Sequence, residues 1–249
     1  MTRPLPPLIL RCCLLAATSA IPAGCANDPA GPGRFTPAVE TLGANANFAK
    51  GDFGSYANLA DLRQRRHLYA VGPVQHLGGE VMVIDSVPYA VQVEDGKLKV
   101  SSTWELQPPF LAYSQVAKWR KIPIPEGVHT YADFEKWISA AAEQQGLTEG
   151  RPFAFRFRAR PSTLTVTVMN RPATAVPGDK PTRAYQTIWN VGGQDTEFVG
   201  FYSAQHTGVF LGTGERVHIH AITLDRKIAG HVQDFALPAG GEILLPQSR

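Results

Sequence analysis

Short apolar runs rich in Val, Thr and Phe recur along this chain, each cut by Gly, Pro, Asp or Asn. That is the pattern of strands joined by tight turns. In the first half it predicts strands over Tyr69–Val74, Glu80–Ile84, Pro88–Val93 and Lys97–Ser101, punctuated by Gly78-Gly79, Asp85-Ser86 and Asp95-Gly96. The last of these is a hairpin signal. In the second half the runs fall near Phe153–Phe157, Leu164–Met169, Ala184–Asn190, Glu197–Phe201, Arg216–Thr223 and Ile228–Phe235. Helical spacing is clearest from Thr130 to Gly146. There Thr130 can cap the first turn with Asp133, Phe134, Trp137, Ile138 and Ala141 make one apolar stripe, and Gly146 ends it. Ser55 to about His67 is a shorter helix candidate. The sum is a strand-dominated α+β fold, with mixed or antiparallel sheets and a few covering helices.

The run Arg216-Val-His-Ile-His-Ala-Ile-Thr-Leu-Asp-Arg-Lys-Ile-Ala-Gly-His231 holds three of the seven histidines. On a strand, side chains alternate faces, so His218 and His220 share one face while Val217, Ile219 and Ala221 take the other. A two-residue turn at Asp225-Arg226 sets His220 directly opposite His231, with Cβ atoms about 4.5–5.5 Å apart. Three imidazoles can then converge on one metal ion at about 2.0–2.1 Å, with a coordination position left open as a catalytic zinc requires. The plain alternative is three half-buried strand histidines satisfied by their neighbours.

Length and composition suit a folded domain: 249 residues, 44% hydrophobic and 18% charged, with 23 Gly and 20 Pro. The first 24 residues read as a signal segment, with Arg3 and Arg11 ahead of an apolar stretch too short to span a bilayer. It ends Pro22-Ala23-Gly24-Cys25, which resembles a bacterial lipoprotein signal whose cysteine, here Cys25, is lipidated. Pro22 stands where such signals usually carry Leu, and Ala-Gly could instead be an ordinary signal-peptidase site. The expectation is an extracytoplasmic, membrane-anchored protein. Residues 25–50 would be a flexible tether and 51–249 the folded domain, with subdomains about 51–150 and 151–249 compatible with the pattern. Without Arg3 and Arg11 the 24 basic residues become 22, against 21 acidic ones, so nothing points to a nucleic-acid partner. All three cysteines, Cys12, Cys13 and Cys25, lie in or directly after the signal. The domain therefore has no disulfide and no thiolate chemistry.

Gly200-Phe201-Tyr202, Gly214-Glu-Arg-Val-His-Ile-His, Asp225-Arg226-Lys227 and Gly230-His231-Val232-Gln-Asp234-Phe235 together resemble the α-acetolactate decarboxylase family. Leu77-Gly-Gly-Glu80-Val-Met-Val-Ile-Asp85-Ser86-Val-Pro-Tyr89 is similar to a second family segment, whose glutamate reaches the metal site. The likeness runs from about residue 55 to 237. It implies zinc held by His218, His220 and His231, with Glu80 as the acid beside it. It also implies conversion of 2-acetolactate, or a related hydroxy-keto acid, to acetoin and carbon dioxide. A homodimer is the family's common assembly. Decarboxylation leaves an enediolate whose charge a Lewis-acidic metal takes up and whose carbon a positioned acid reprotonates.

Two parts of the family pattern are not matched. The arginine that faces the substrate carboxylate falls here on Thr167 or Met169. Arg171 shares their strand parity and would substitute if the strand continued, and Arg160 is a weaker candidate. The family's late glutamate has Glu242 as its sole counterpart, in a chain that ends 18 residues after His231. Two other readings stay open. One is a cupin, since Gly212, His218, His220 and Asp225 partly mimic its first motif. The other is a non-catalytic zinc- or ligand-binding lipoprotein on the same fold.

Overall fold

The computed structural model describes Met1 and residues 37–147, 151–176 and 182–247. The signal segment after Met1, Cys25 and the tether up to residue 36 lie outside the described residues. The described residues from 37 onward belong to one compact unit. Its first six strands are β1 (Glu40–Gly43), β2 (Leu68–Pro73), β3 (Glu80–Ile84), β4 (Val87–Glu94), β5 (Lys97–Ser101) and β6 (Phe110–Gln115). They form an antiparallel sheet in the order β1-β6-β2-β3-β4-β5. The chain then passes into a second sheet through β7 (Trp119–Pro123), α1 (Tyr131–Gln144), β8 (Phe153–Ala159), β9 (Thr163–Met169) and β10 (Gln186–Val191). β11 (Thr196–Tyr202), β12 (Val217–Thr223), β13 (Ala229–Ala236) and β14 (Glu242–Pro246) complete it. Its order is β10-β9-β13-β12-β11-β8-β14-β7, again with every pair antiparallel.

The two sheets meet face to face. Tyr69, Val71, Met82, Val91 and Ala112 of the first pack on Ala154, Val168, Val199, Phe201, Ile222 and Ala229 of the second. The outer face of the second sheet is covered by α1, through Phe134, Ile138 and Ala142 against Phe155, Phe157, Phe198 and Phe235. The outer face of the first sheet is covered by Leu59 and Leu62. Each central strand is therefore buried on both faces, which is why all seven residues of β12 are buried. Its hydrophobic alternation is hidden, but its two faces still have different neighbours: Val217, Ile219 and Ala221 lie with α1, and Ile222 lies between the sheets.

Most predicted elements are present within a residue or two. Thr130 caps α1 in a full capping box with Asp133, and Gly146 follows with φ 77°. Asp95-Gly96 is a two-residue turn with both φ positive, as a hairpin with right-handed twist requires. Gly200 faces Phe155 across the β11–β8 pair. A Cβ there would lie 2.4 Å from the Phe155 ring, so the glycine makes room for the aromatic.

Three expectations are corrected, and four strands are added. The Ser55–His67 helix reduces to one 3-10 turn, Leu59–Leu62, because in that span only Ala57, Leu59 and Leu62 are buried in the core. The tether assigned to 25–50 is too long: Glu40–Gly43 pairs with β6, and Asn45–Lys50 is a 3-10 turn. Strands β1, β6, β7 and β14 were not foreseen. The change of sheet falls between Gln115 and Trp119, not near residue 150.

Phe134 is fully buried, with ring centroids 5.3–5.7 Å from Phe155, Phe157 and Phe235. Phe134→Ala is expected to destabilise the domain by about 3–5 kcal/mol, measured by urea unfolding. A loss under about 1 kcal/mol would show that α1 is not a working part of the core.

Candidate metal centre

β12 and β13 pair with His220 opposite His231, the register expected from the sequence. The turn differs: Thr223 N–H bonds Ile228 O, closing a four-residue loop, Leu224–Lys227, in which Asp225 accepts from Thr223 Oγ1 and Lys227 N–H. Widening the turn symmetrically leaves the register intact. His218, His220 and His231 each offer a ring nitrogen, and these nitrogens lie within 4.8 Å of one another. Among the described residues this is the cluster of metal-ligand type.

The tautomers follow from the partners of the rings. His218 Nδ1–H donates to Phe210 O at 2.6 Å, and the Val81 backbone hydrogen-bonds the His220 ring. The Nε2 atoms of His218 and His220 are left as lone pairs 3.0 Å apart. Two bare acceptors that close repel unless a cation lies between them. Nitrogens bound to one tetrahedral ion at about 2.0–2.1 Å are themselves about 3.3 Å apart, so the donor set fits a divalent metal. Burial pushes the His218 imidazole down to about 4. Burial, followed by the neighbouring imidazoles, holds His220 well below its usual value. His231 is lowered in the same way by burial and then by His218. Neutral imidazoles are the form that binds metal.

Glu80 enters from the other sheet. It begins β3 just after Gly79, whose φ is 154° and whose Cβ, if present, would lie 2.3 Å from Val91 O. The Glu80 side chain is buried; Oε1 accepts from Met169 N–H at 3.0 Å, and Oε2 lies 3.7 Å from His220 Nε2. Burial pushes its carboxyl up to about 8, against the lowering effect of the Met169 hydrogen bond.

His218, His231 and Glu80 open into a cleft of about 1070 Å³, walled by Phe48, Leu77, Phe110, Met169, Phe210 and Leu211 among others. Arg171 is not among its lining residues. β9 ends at Met169, and Arg171 N–H then bonds Leu77 O, so strand parity does not carry over. The Arg171 guanidinium lies 4.6 Å from the Phe53 ring centroid and donates to Ala175 O. Among the described residues, the Lys or Arg side chain that lines the cleft is that of Arg183, which no motif marked. Arg160 is held by Asp195 through two hydrogen bonds. Glu242 pairs with Lys121 on the exposed β14–β7 edge, away from the histidines. The cleft also takes Asn45, Ala46, Phe48 and Ala49 from the supposed tether. They are stitched to the opposite loop by Asn45 N–H to Val209 O and Ala46 N–H to Gly208 O.

The sequence model described as alpha-acetolactate decarboxylase matches residues 49–246, which sets the cupin alternative aside. No curated protein matches. Among solved structures, alpha-acetolactate decarboxylase from Bacillus subtilis strain 168 is 18% identical, with a TM-score of 0.69 over 85% of this chain and 86% of that one. The acetolactate decarboxylase of Bacillus subtilis subspecies spizizenii is 19% identical, with the same TM-score and coverage. A Staphylococcus aureus protein of unknown function, similar to alpha-acetolactate decarboxylase, is 17% identical with a TM-score of 0.66 and the same coverage.

The buried groups set the pH dependence of the metal-free protein. The depressed histidines leave the unfolded chain with more bound protons below its usual 6.5, so stability falls as pH drops from there toward 4. Glu80 acts in the opposite sense. The folded state keeps its proton between 4.5 and about 8, and stability falls as pH rises through that window. Thermal melts of the metal-free chain should therefore peak near about pH 6.5, and Glu80→Gln should remove the decline above it. An equal decline in that variant would clear Glu80 of responsibility.

Proposed function

The chain belongs to the alpha-acetolactate decarboxylase family, a family of carbon–carbon lyases, and from that premise we propose that it is a zinc-dependent decarboxylase of 2-acetolactate or a related 2-hydroxy-3-oxo acid. The observation that carries the proposal is the convergence of three neutral imidazoles from one sheet and one buried carboxyl from the other. His218, His220 and His231 would hold the zinc. When bound, the ion supplies Lewis-acid charge for the oxygens of the substrate's hydroxyl and ketone.

The remaining work falls to this chain's own groups. Arg183 would receive the substrate carboxylate at the cleft wall. As the carbon–carbon bond to that carboxylate breaks, its electron pair stays on the substrate as an enediolate and carbon dioxide leaves. Burial disfavours the charge of Glu80 in the metal-free site, and its carboxyl beside the ligand set would be the proton donor. The Met169 N–H occupies Oε1, so Oε2 is the atom that carries the proton and returns it to the carbanionic carbon. Water then restores the proton on Oε2. Phe110, Phe210, Leu211 and Met169 keep bulk water from the reacting end of the cleft.

We further propose that Cys25 is lipidated and holds the domain outside the cytoplasmic membrane. Labelled palmitate should enter the wild-type chain in cells and not Cys25→Ser; equal labelling of both would end that idea.

Purified full-length protein should bind one zinc per chain and release acetoin from 2-acetolactate, with His220→Ala losing both. Zinc retained without acetoin would leave the site and remove the activity. Arg183→Ala should lower kcat/KM by about 10- to 100-fold, the effect of losing a charged hydrogen bond worth about 1.5–3 kcal/mol. Arg171→Ala should lower the melting temperature and change kcat/KM less than about threefold. The reverse pattern would return the carboxylate to Arg171.

A further inference from the structure

Apolar and polar side chains share the lining of the cleft. Its apolar residues include Phe110, 5.9 Å from His218 ring to ring, Phe210, whose backbone oxygen accepts from His218, and Met169, whose N–H donates to Glu80. The rest of the lining includes polar side chains. Arg183 and Gln186 come from the approach to and start of β10, Thr207, Thr213 and Glu215 from the loop before β12, and Gln233 from β13.

Several of these polar atoms are uncommitted among the described residues. Gly212 N–H bonds Glu215 Oε2, and no other hydrogen bond engages the Glu215 carboxylate. Gln233 Nε2 donates to Thr167 Oγ1 at 3.3 Å, leaving Gln233 Oε1 to accept. The side chains of Gln186, Thr207 and Thr213 face the cleft with no protein partner of their own. Pockets of about 300–1000 Å³ are those that hold drug-sized ligands, and this cleft has about 1070 Å³. A substrate such as 2-acetolactate, carrying only methyl groups beyond its reacting centre, would leave most of it to water.

We propose that the natural substrate is a polyhydroxylated 2-hydroxy-3-oxo acid whose hydroxylated chain runs from the histidines along Gln233, Glu215 and Gln186. The inference rests on the decarboxylase reading for the head group alone; the tail is argued from the lining. Amides, hydroxyls and a carboxylate in alternation suit ligand hydroxyls, which both donate and accept. An aliphatic chain in the same place would desolvate these groups without replacing their hydrogen bonds, and sites built to bond a hydroxyl discriminate strongly against analogues that lack it.

The test separates the tail from the chemistry by using two acids that are not decarboxylated. Gluconate and 2,3-dihydroxyhexanoate share chain length and a 2,3-dihydroxy head, and differ in the hydroxyls of the tail. Titration calorimetry on the zinc-loaded full-length chain should show gluconate binding at least tenfold more tightly. Glu215→Ala and Gln233→Leu, each checked for wild-type metal content, should cut that preference to under about threefold. Equal or tighter binding of 2,3-dihydroxyhexanoate overturns the proposal. So does a preference that survives both substitutions, or no binding of either acid at about 10 mM. Because neither acid reacts, these outcomes are independent of whether 2-acetolactate yields acetoin.

Discussion

Buried imidazoles must have both ring nitrogens satisfied, and the middle of this structure is arranged around that requirement. His218 and His220 lie on a strand with no exposed residue, where an unpaired nitrogen costs more than a typical hydrogen bond returns. One nitrogen of each ring is met by the backbone, from Phe210 and from Val81. The other two converge and call for a cation. Phe210 belongs to the loop ahead of β12, and Val81 to the opposite sheet. The site is thus complete only when two sheets and a loop are in place together.

The same sandwich decides the protonation of Glu80. Its neighbours in the sheet contact are Met82, Val91 and Ala229, and its hydrogen-bond donor is a neutral amide from β9. In so apolar a setting a carboxylate gains little by ionising. Another buried acid does meet cations: Glu197 is reached by Arg158 at 3.3 Å and Arg226 at 3.4 Å. Arg156 bridges the sheets by donating to Tyr69 Oη. Glu197 thus pairs with partly exposed arginines, whereas among the described residues no Lys or Arg reaches Glu80.

Packing also explains how a segment without apparent structure comes to belong to the site. The stretch around Phe48 is rich in Ala and Asn, and nothing in its composition foretells a fold. Phe48 nevertheless packs on Phe53 and Phe110, and the backbone of Asn45 and Ala46 bonds the loop that orients His218. A single aromatic was the one available signal, and it is too weak to read without its partners.

What the chain determines by itself is local. Side-chain alternation put His218 and His220 on one face, and the pairing sum of the hairpin brought His231 opposite His220, even though the turn is four residues wide. The capping box of Thr130 and Asp133 and the stripe of Phe134, Ile138 and Ala141 likewise needed only near neighbours. Tertiary structure decided everything that depends on distant segments. Glu80 and Met169 meet across 89 positions, and the end of β9 at Met169 turned Arg171 onto Phe53 and left Arg183 as the cation of the cleft. Periodicity specifies which face of a strand a residue occupies. It carries no information on which other strand, 30 or 90 residues away, will cover that face, because that choice is made by the packing of whole sheets.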